Sequence, residues 1–406
     1  MEKFGLIGRT LKHSYSEKIH AILAGYEYKL YELEPDQLKS FVKSGKLKGF
    51  NVTIPYKKDV MEYLDEIDDS ARLIGAVNTV VNENGKLKGY NTDFKGVEYM
   101  LLRAGITLKN KKVMILGTGG TGNTVTAVAK AHGAKEIIIV SRGGKINYDN
   151  YFERADVDVI VNTTPVGMYP NNYQSPIDLQ KFDNLSGVVD VIYNPDTTLL
   201  TAQAKQQGIK NTNGLPMLVA QAKFAMEKFV GQSVSDSVIE SALNKLWADT
   251  LNIVLIGMPG SGKSTVGRAL ADVLGREFID TDKEIEKREN CDIPTIFRER
   301  GEEYFRKVES EVLKDVGKLT GKVIATGGGI VKNTDNYFPL KCNGKIFWLN
   351  RDIEALATDN RPLSKDIQTV KKLYEERKDK YMAFSDFIID NNCTVQSAVK
   401  GVLENL

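Results

Sequence analysis

The chain has 406 residues, enough for two or three domains, and 42% are hydrophobic, an ordinary fraction for packed cores. Its 55 basic and 53 acidic residues nearly cancel, to +2, which argues against nucleic acid or an acidic membrane surface as the main partner. No apolar run nears the ~20 residues of a membrane span, and the start MEKFGLIGRT has no apolar signal core. Cys291, Cys342 and Cys393 are too scattered for a disulfide framework or a zinc site. A reduced cytoplasmic protein is expected, with no obligatory protein partner, no nucleic acid and no membrane.

Short β-branched runs alternate with longer helical patterns: VMIL (113–116), IIIV (137–140), VDVIV (157–161), VVDVI (188–192), NIVLI (252–256) and KVIAT (322–326). This spacing predicts βαβ units and parallel sheets, an α/β protein. Near the start, GLIGRTLKHSYSEKIH (5–20) sets Ser14 and Ser16 after a strand, with hydroxyls suited to a carboxylate. GFNVTIPYKKDV (49–60) puts Lys57 just after a strand, IGAVNTVV (74–81) offers Asn78, and GYNTDFKG (89–96) offers Asp93. A lysine and an aspartate beside one carbonyl form an acid/base pair: the ammonium protonates the developing alkoxide and the carboxylate orients it.

Gly117-Thr-Gly119-Gly120-Thr-Gly122 then fits G-x-G-x-x-G between the strand VMIL and a helical run at 121–132. The next strand, 135–140, ends in Ser141-Arg142 with no acid to hold a ribose diol, so a 2′-phosphate, and hence NADP(H), is the better fit. Only 14 residues, 141–154, lead on towards VDVIV, against the ~30 of a full βαβ unit, so the adenosine edge reads as trimmed. His132 falls on the dinucleotide helix, and His13 and His20 read as structural.

These motifs, with NTTPVGMYP (162–170), DVIYNP (190–195) and NGLPMLVAQAKFAMEKF (213–229), resemble shikimate dehydrogenase across about 1–246. The resemblance implies Lys57 as the catalytic residue with Asp93 as its partner. Ser14 and Ser16 would bind the carboxylate of 3-dehydroshikimate, and Thr53, Asn78, Asp93, Tyr193 and Gln221 the ring hydroxyls. Gly214 and Met217 would lie near the nicotinamide. Thr10 and Glu17 depart from the pattern, standing where the family usually has prolines. The implied domains are 1–94, a substrate-binding α/β domain completed by helices in 213–246, and 95–212, a Rossmann-like NADP domain.

A seam is expected near 246–250, where a helix closes and a fresh strand begins. Gly257-Met-Pro-Gly260-Ser-Gly262-Lys263-Ser264 then fits G-x-x-x-x-G-K-[ST] in full, in a strand–loop–helix setting. Its backbone N–H groups can cradle phosphates, Lys263 can reach the β and γ positions, and Ser264 can help hold Mg²⁺. EFIDTDKEI (277–285) places Asp280 and Asp282 two apart at a predicted strand end, pointing the same way. A charged helix (297–313) carries Arg306 beside Phe305, VIATGGGIV (323–331) brings three glycines, NRPLS (360–364) gives Arg361, and YEERKDKYMAFSD (374–386) gives Arg377.

Together these resemble shikimate kinase over essentially all of 251–406, an NMP-kinase-like P-loop fold with a parallel sheet in a domain at 250–406. The resemblance implies that Gly260, Gly262, Lys263, Ser264 and Thr265 bind ATP. Ser264 and Asp280 would serve the Mg²⁺, and Asp282 would activate the shikimate hydroxyl. Arg306 and Arg377 would clamp the carboxylate, Gly328 would meet the ring, and Arg361 would close as a lid. The lid stretch is shorter than usual, with no arginine just before it to stack on adenine. Alternatives are another small-molecule kinase such as gluconate kinase, an NAD-linked catabolic quinate/shikimate dehydrogenase, or a kinase-like domain kept only for binding or tethering. The expectation is a bifunctional enzyme making shikimate and then shikimate 3-phosphate.

Overall fold

The β-branched runs form three sheets, seen in a computed structural model that describes residues 3–11, 14–356 and 367–406. Arg361 and His13 lie outside the described residues. The chain divides into two units, Met1–Tyr193 with Thr198–Leu246, and Asn194–Thr197 with Trp247–Leu406. Among the described residues, no helix is long and apolar enough to cross a membrane.

The first unit contains two sheets. One comprises β1 (Lys3–Gly8), β2 (Glu27–Glu32), β3 (Gly49–Val52), β4 (Glu66–Ile67), β5 (Thr79–Glu83) and β6 (Lys86–Tyr90), in the order β2-β1-β3-β5-β6-β4. It is mixed rather than parallel: β1 runs parallel to β2 and β3, whereas β5 is antiparallel to both β3 and β6. The antiparallel pairing of β5 with β6 has a local cause. Asn84 and Gly85, with φ of 55° and 91°, close a two-residue hairpin turn that leaves no room for a crossover helix.

The second sheet comprises β7 (Lys112–Leu116), β8 (Glu136–Val140), β9 (Val159–Asn162), β10 (Gly187–Asp190) and β11 (Asn211–Thr212). It is parallel, in the order β11-β10-β9-β7-β8. The stretch between β8 and β9 holds no α-helix, only a bridge from Val140 to Ile146 and a 3-10 turn at Tyr151–Arg154. β8 is therefore the edge of this sheet. Buried aliphatics from β7, β9 and β10 pack below it against the helices Asp93–Arg103 and Gly120–Ala131.

The second unit is one parallel sheet of β12 (Asn252–Ile256), β13 (Phe278–Asp280), β14 (Val323–Ala325), β15 (Gly344–Asn350) and β16 (Phe387–Asp390), ordered β13-β14-β12-β15-β16. β12 is buried throughout, as a central strand covered on both faces must be. The charged helix runs Ile293–Val316, beyond the expected 297–313, and it starts early because Asp292 caps it by accepting from Thr295 N–H at 2.9 Å. It is also broken at Gly301, whose φ of 81° turns the chain between two helical segments.

His20 is a core residue, as its apolar company implies. It is 1% exposed, stacked on Tyr28 with ring centroids 3.9 Å apart, and its Nδ1 meets the Tyr26 hydroxyl at 2.7 Å. Burial pushes its pKa down from 6.5 to about 3. Below about pH 6.5 the unfolded chain takes up a proton here that the folded chain refuses, so stability falls as pH falls towards 3. The expected slope from this residue is at most about 1.4 kcal/mol per pH unit. Chemical denaturation of the chain between about pH 7 and pH 4 should show the decline shrinking in His20→Phe; an unchanged slope would contradict it.

Candidate active sites

The first site is a cleft of ≈ 770 Å³ within the first unit. Ser14 and Ser16 line it at the start of the helix Ser16–Leu23, and Ser14 Oγ accepts from Ser16 N–H at 3.2 Å. Lys57 follows β3, and its ammonium donates to Asp93 Oδ2 at 2.6 Å. Asp93 opens the helix Asp93–Arg103, whose N-terminal dipole favours a carboxylate. Asn78 is buried and also lines the cleft. Its Oδ1 accepts from Thr92 N–H at 2.7 Å and its Nδ2 donates to Gln221 Oε1 at 3.5 Å, tying the turn before Asp93 to the helix Leu215–Val230. Thr53, Tyr193, Gln221, Gly214 and Met217 also line the cleft. Gly214 must be glycine, since a Cβ would lie 1.9 Å from the Val191 carbonyl oxygen.

The four loop glycines play different parts. A Cβ on Gly117 would lie 2.9 Å from Thr163 Oγ1, and one on Gly122 would lie 2.7 Å from the Gly117 carbonyl oxygen. Those two make the tight turn out of β7 possible. Gly119 and Gly120 begin the helix Gly120–Ala131 and face open space, and Gly120 lines the cleft. A dinucleotide pyrophosphate fits that pair: small residues, an open approach and a helix N-terminus. Arg142 is exposed just past the end of β8, away from the cleft lining.

The second site is a cavity of ≈ 540 Å³ at the carboxyl ends of the strands of the second unit. Gly260, Gly262, Lys263, Ser264 and Thr265 line it from the loop after β12, and the helix Lys263–Leu274 begins there. Lys263 is buried and donates to the carbonyls of Gly257 and Met258 at 3.0 and 2.9 Å, curled into its own loop. Ser264 Oγ donates to Asp280 Oδ2 at 2.7 Å. That hydroxyl and carboxylate are hard oxygen donors, and Mg²⁺ is usually held by one or two carboxylates plus phosphate oxygens, so the pair fits the ion.

The two aspartates are not on one strand face as the spacing suggested. β13 ends at Asp280, and Asp282 sits in the first turn of the helix Thr281–Glu289. Asp280 itself causes the turn, because its Oδ1 caps the helix by accepting from Asp282 N–H at 3.1 Å. Both carboxylates still line the cavity. Arg306 and Arg377 line it too. Arg306 donates to Glu309 Oε2 at 2.7 Å and to Glu302 Oε1 at 3.2 Å, and Arg377, almost fully buried, donates to the Gly328 carbonyl at 2.9 Å.

Each of the three glycines after β14 leaves room for a named neighbour. A Cβ on Gly327 would meet Asp282 Oδ1 at 2.8 Å and Glu309 Oε1 at 3.0 Å, and one on Gly328 would meet Pro259 Cδ at 2.6 Å. One on Gly329 would meet the Arg306 guanidinium at 2.4 Å. The run thus lets backbone, acid and arginine converge. Sequence reasoning missed Glu309, which is 1% exposed and lines the cavity with Oε1 unpartnered. Burial raises its carboxyl above the usual range, against the pull of Arg306. The available signal was its place three residues after Arg306, on the same helix face.

Known proteins resemble both parts of the chain. The family profile described as shikimate dehydrogenase substrate binding domain matches residues 6–80, and that described as shikimate kinase matches residues 259–406. The shikimate dehydrogenase (NADP(+)) of Clostridium beijerinckii is 42% identical over 246 residues, covering 56% of this chain and 91% of that protein. A chorismate mutase/shikimate 5-dehydrogenase fusion protein from Clostridium acetobutylicum is similar with a TM-score of 0.58 and 38% identity, covering 61% of this chain and 97% of that one. Shikimate 5-dehydrogenase from Thermus thermophilus, solved with NADP(H) and shikimate, gives a TM-score of 0.56 at 28% identity, covering 60% of this chain and 99% of that one.

Proposed function

We propose, for a chain that belongs to the shikimate dehydrogenase family and ends in a shikimate kinase domain, that one polypeptide performs two successive reactions. The first reduces 3-dehydroshikimate to shikimate with NADPH; the second transfers the γ-phosphoryl group of ATP to the shikimate 3-hydroxyl. The observation that carries the reading is the Lys57–Asp93 pair, 2.6 Å apart, in the same cleft as the helix start at Gly120. An acid for the carbonyl oxygen and a seat for the dinucleotide thus share one cleft.

When bound, NADPH supplies the hydride at the first site, and Mg²⁺ offsets phosphate charge at the second. In the first site Lys57 gives its proton to the carbonyl oxygen as that oxygen gains charge, while Asp93 keeps the ammonium aimed. Ser14 and Ser16 hold the substrate carboxylate, and Thr53, Asn78, Tyr193 and Gln221 fix the ring through its hydroxyls. In the second site Lys263 exchanges its two carbonyl partners for phosphate oxygens, and Asp282 accepts the proton of the attacking hydroxyl. Arg306 and Arg377 hold the carboxylate, with Glu309 locking Arg306 in place. A cytoplasmic setting suits this chemistry and the three free cysteines.

The cofactor preference rests on Arg142, the cation beyond the β8 edge where a 2′-phosphate would lie. The test follows absorbance with 3-dehydroshikimate and either NADPH or NADH, and ADP formation with shikimate and Mg²⁺-ATP. Faster turnover of NADPH and shikimate-dependent ADP release are expected. A chain that prefers NADH, or that releases no ADP with shikimate, would overturn the corresponding half.

A further inference from the structure

In the second unit every parallel strand delivers its carboxyl end to the cavity region, and four of these ends have a task in phosphoryl transfer or in shaping its site. β12 leads into the phosphate loop, β13 ends in Asp280 with Asp282 beyond it, and β14 leads to the three glycines. β16 ends beside Asn391, whose Nδ2 donates to the Ser261 carbonyl at 2.6 Å and so braces the phosphate loop. The remaining end, that of β15, places Arg351 in the cavity lining. This arginine has no part in the chemistry described so far.

Its surroundings are unusual for a half-buried guanidinium. Arg351 Nε is buried and has no hydrogen-bond partner, and no ion pair reaches the side chain from any described residue. The neighbouring acid is engaged elsewhere: Asp352 N–H donates to Asn392 Oδ1 at 2.8 Å and Asp352 Oδ1 accepts from Asn392 Nδ2 at 3.2 Å. The other cavity arginines each hold a partner, Arg306 with Glu309 and Glu302, and Arg377 with the Gly328 carbonyl, although Arg377 Nε, like Arg351 Nε, has no hydrogen-bond partner. An arginine cannot shed its charge to suit burial, so one that faces a cavity with no acid paired to it among the described residues is set for an anion.

Strand order says which anion. The order β13-β14-β12-β15-β16 puts the phosphate loop between the two flanks of the sheet. Asp282, the three glycines and Arg306 approach from the β13–β14 flank, whereas Arg351 stands on the β15 flank. Its strand lies against the loop itself, since a Cβ on Gly257 would be 2.6 Å from the Leu349 carbonyl oxygen. We propose that Arg351 is a nucleotide-binding residue, whose guanidinium pairs with an oxygen of the phosphate chain of the nucleotide held by the 257–265 loop. In the free chain its charge stands ready for that phosphate.

This inference rests on the ATP-dependent reading of the second site, and its test separates the two. Shikimate phosphorylation is followed in the full chain for the unaltered protein, Arg351→Ala and Arg351→Lys, varying ATP and shikimate in turn, with ADP binding measured by calorimetry. Arg351→Ala is expected to raise KM for ATP and Kd for ADP about ten-fold or more, the loss typical of one charge-assisted hydrogen bond. KM for shikimate should stay within about two-fold, and Arg351→Lys should recover part of the loss, because it keeps the charge without the fork. NADPH oxidation by the first site gives each variant's control. Unaltered ATP and ADP affinities in Arg351→Ala, or a rise in the shikimate KM in their place, would overturn the inference. An unaltered chain that phosphorylates nothing would overturn the underlying reading instead.

Discussion

Lys57→Ala is expected to remove the reduction of 3-dehydroshikimate, lowering kcat by about 10²–10⁴-fold, the usual contribution of a positioned general acid. The carbonyl oxygen gains a full negative charge during reduction, and Lys57 is the ammonium seated beside Asp93 in that cleft, at 2.6 Å. Lys57→Met would keep the length of the side chain without the proton and should fail as badly. Asp93→Asn should lose less, because the amide can still hold the lysine through its oxygen. Absorbance of NADPH checks all three, and shikimate supplied directly should still be phosphorylated at the unaltered rate. A loss under about ten-fold in Lys57→Ala would remove the lysine from the chemistry.

Lys263→Ala should have the converse pattern. Phosphoryl transfer is expected to fall by about 10²–10³-fold, as when one preorganised donor to a developing charge is deleted, and NADPH oxidation should persist. The geometry explains why the lysine matters before any ligand arrives. Its ammonium is buried and donates to the Gly257 and Met258 carbonyls, so the loop keeps a cation stored at the proposed phosphate site. Asp282→Asn tests the acceptor of the hydroxyl proton in the same assay and should lower kcat with little change in KM for ATP, since the nucleotide is gripped from the loop. If Lys263→Ala also stopped the reduction, the two sites would not be independent.

Much of this was legible in the residues. Both glycine loops follow β-branched runs, and short motifs carried Lys57, Asp93 and Lys263. The missing crossover after Arg142 was visible as a count, and the structure has a bridge and a 3-10 turn in that stretch. What escaped depended on packing or on caps. Asp280 terminates its strand by capping the next helix, so alternation two residues apart misplaced Asp282. The hairpin at Asn84–Gly85 brings an antiparallel pair into a chain whose strand runs, read by spacing, implied parallel sheets. The separate tasks of the glycines appear only when a side chain is imagined at each. Glu309 and Arg351 carry no motif, and their meaning lies in which partners they have or lack.

One chain is expected to carry its substrate through both reactions. The most direct measurement incubates the full chain with 3-dehydroshikimate, NADPH and Mg²⁺-ATP, and follows products by mass spectrometry and absorbance. Shikimate 3-phosphate should appear, with NADP⁺ and ADP each formed in equal amount to it once shikimate is consumed. Oxidation of NADPH that stops at shikimate, with no phosphorylated product, would contradict the account.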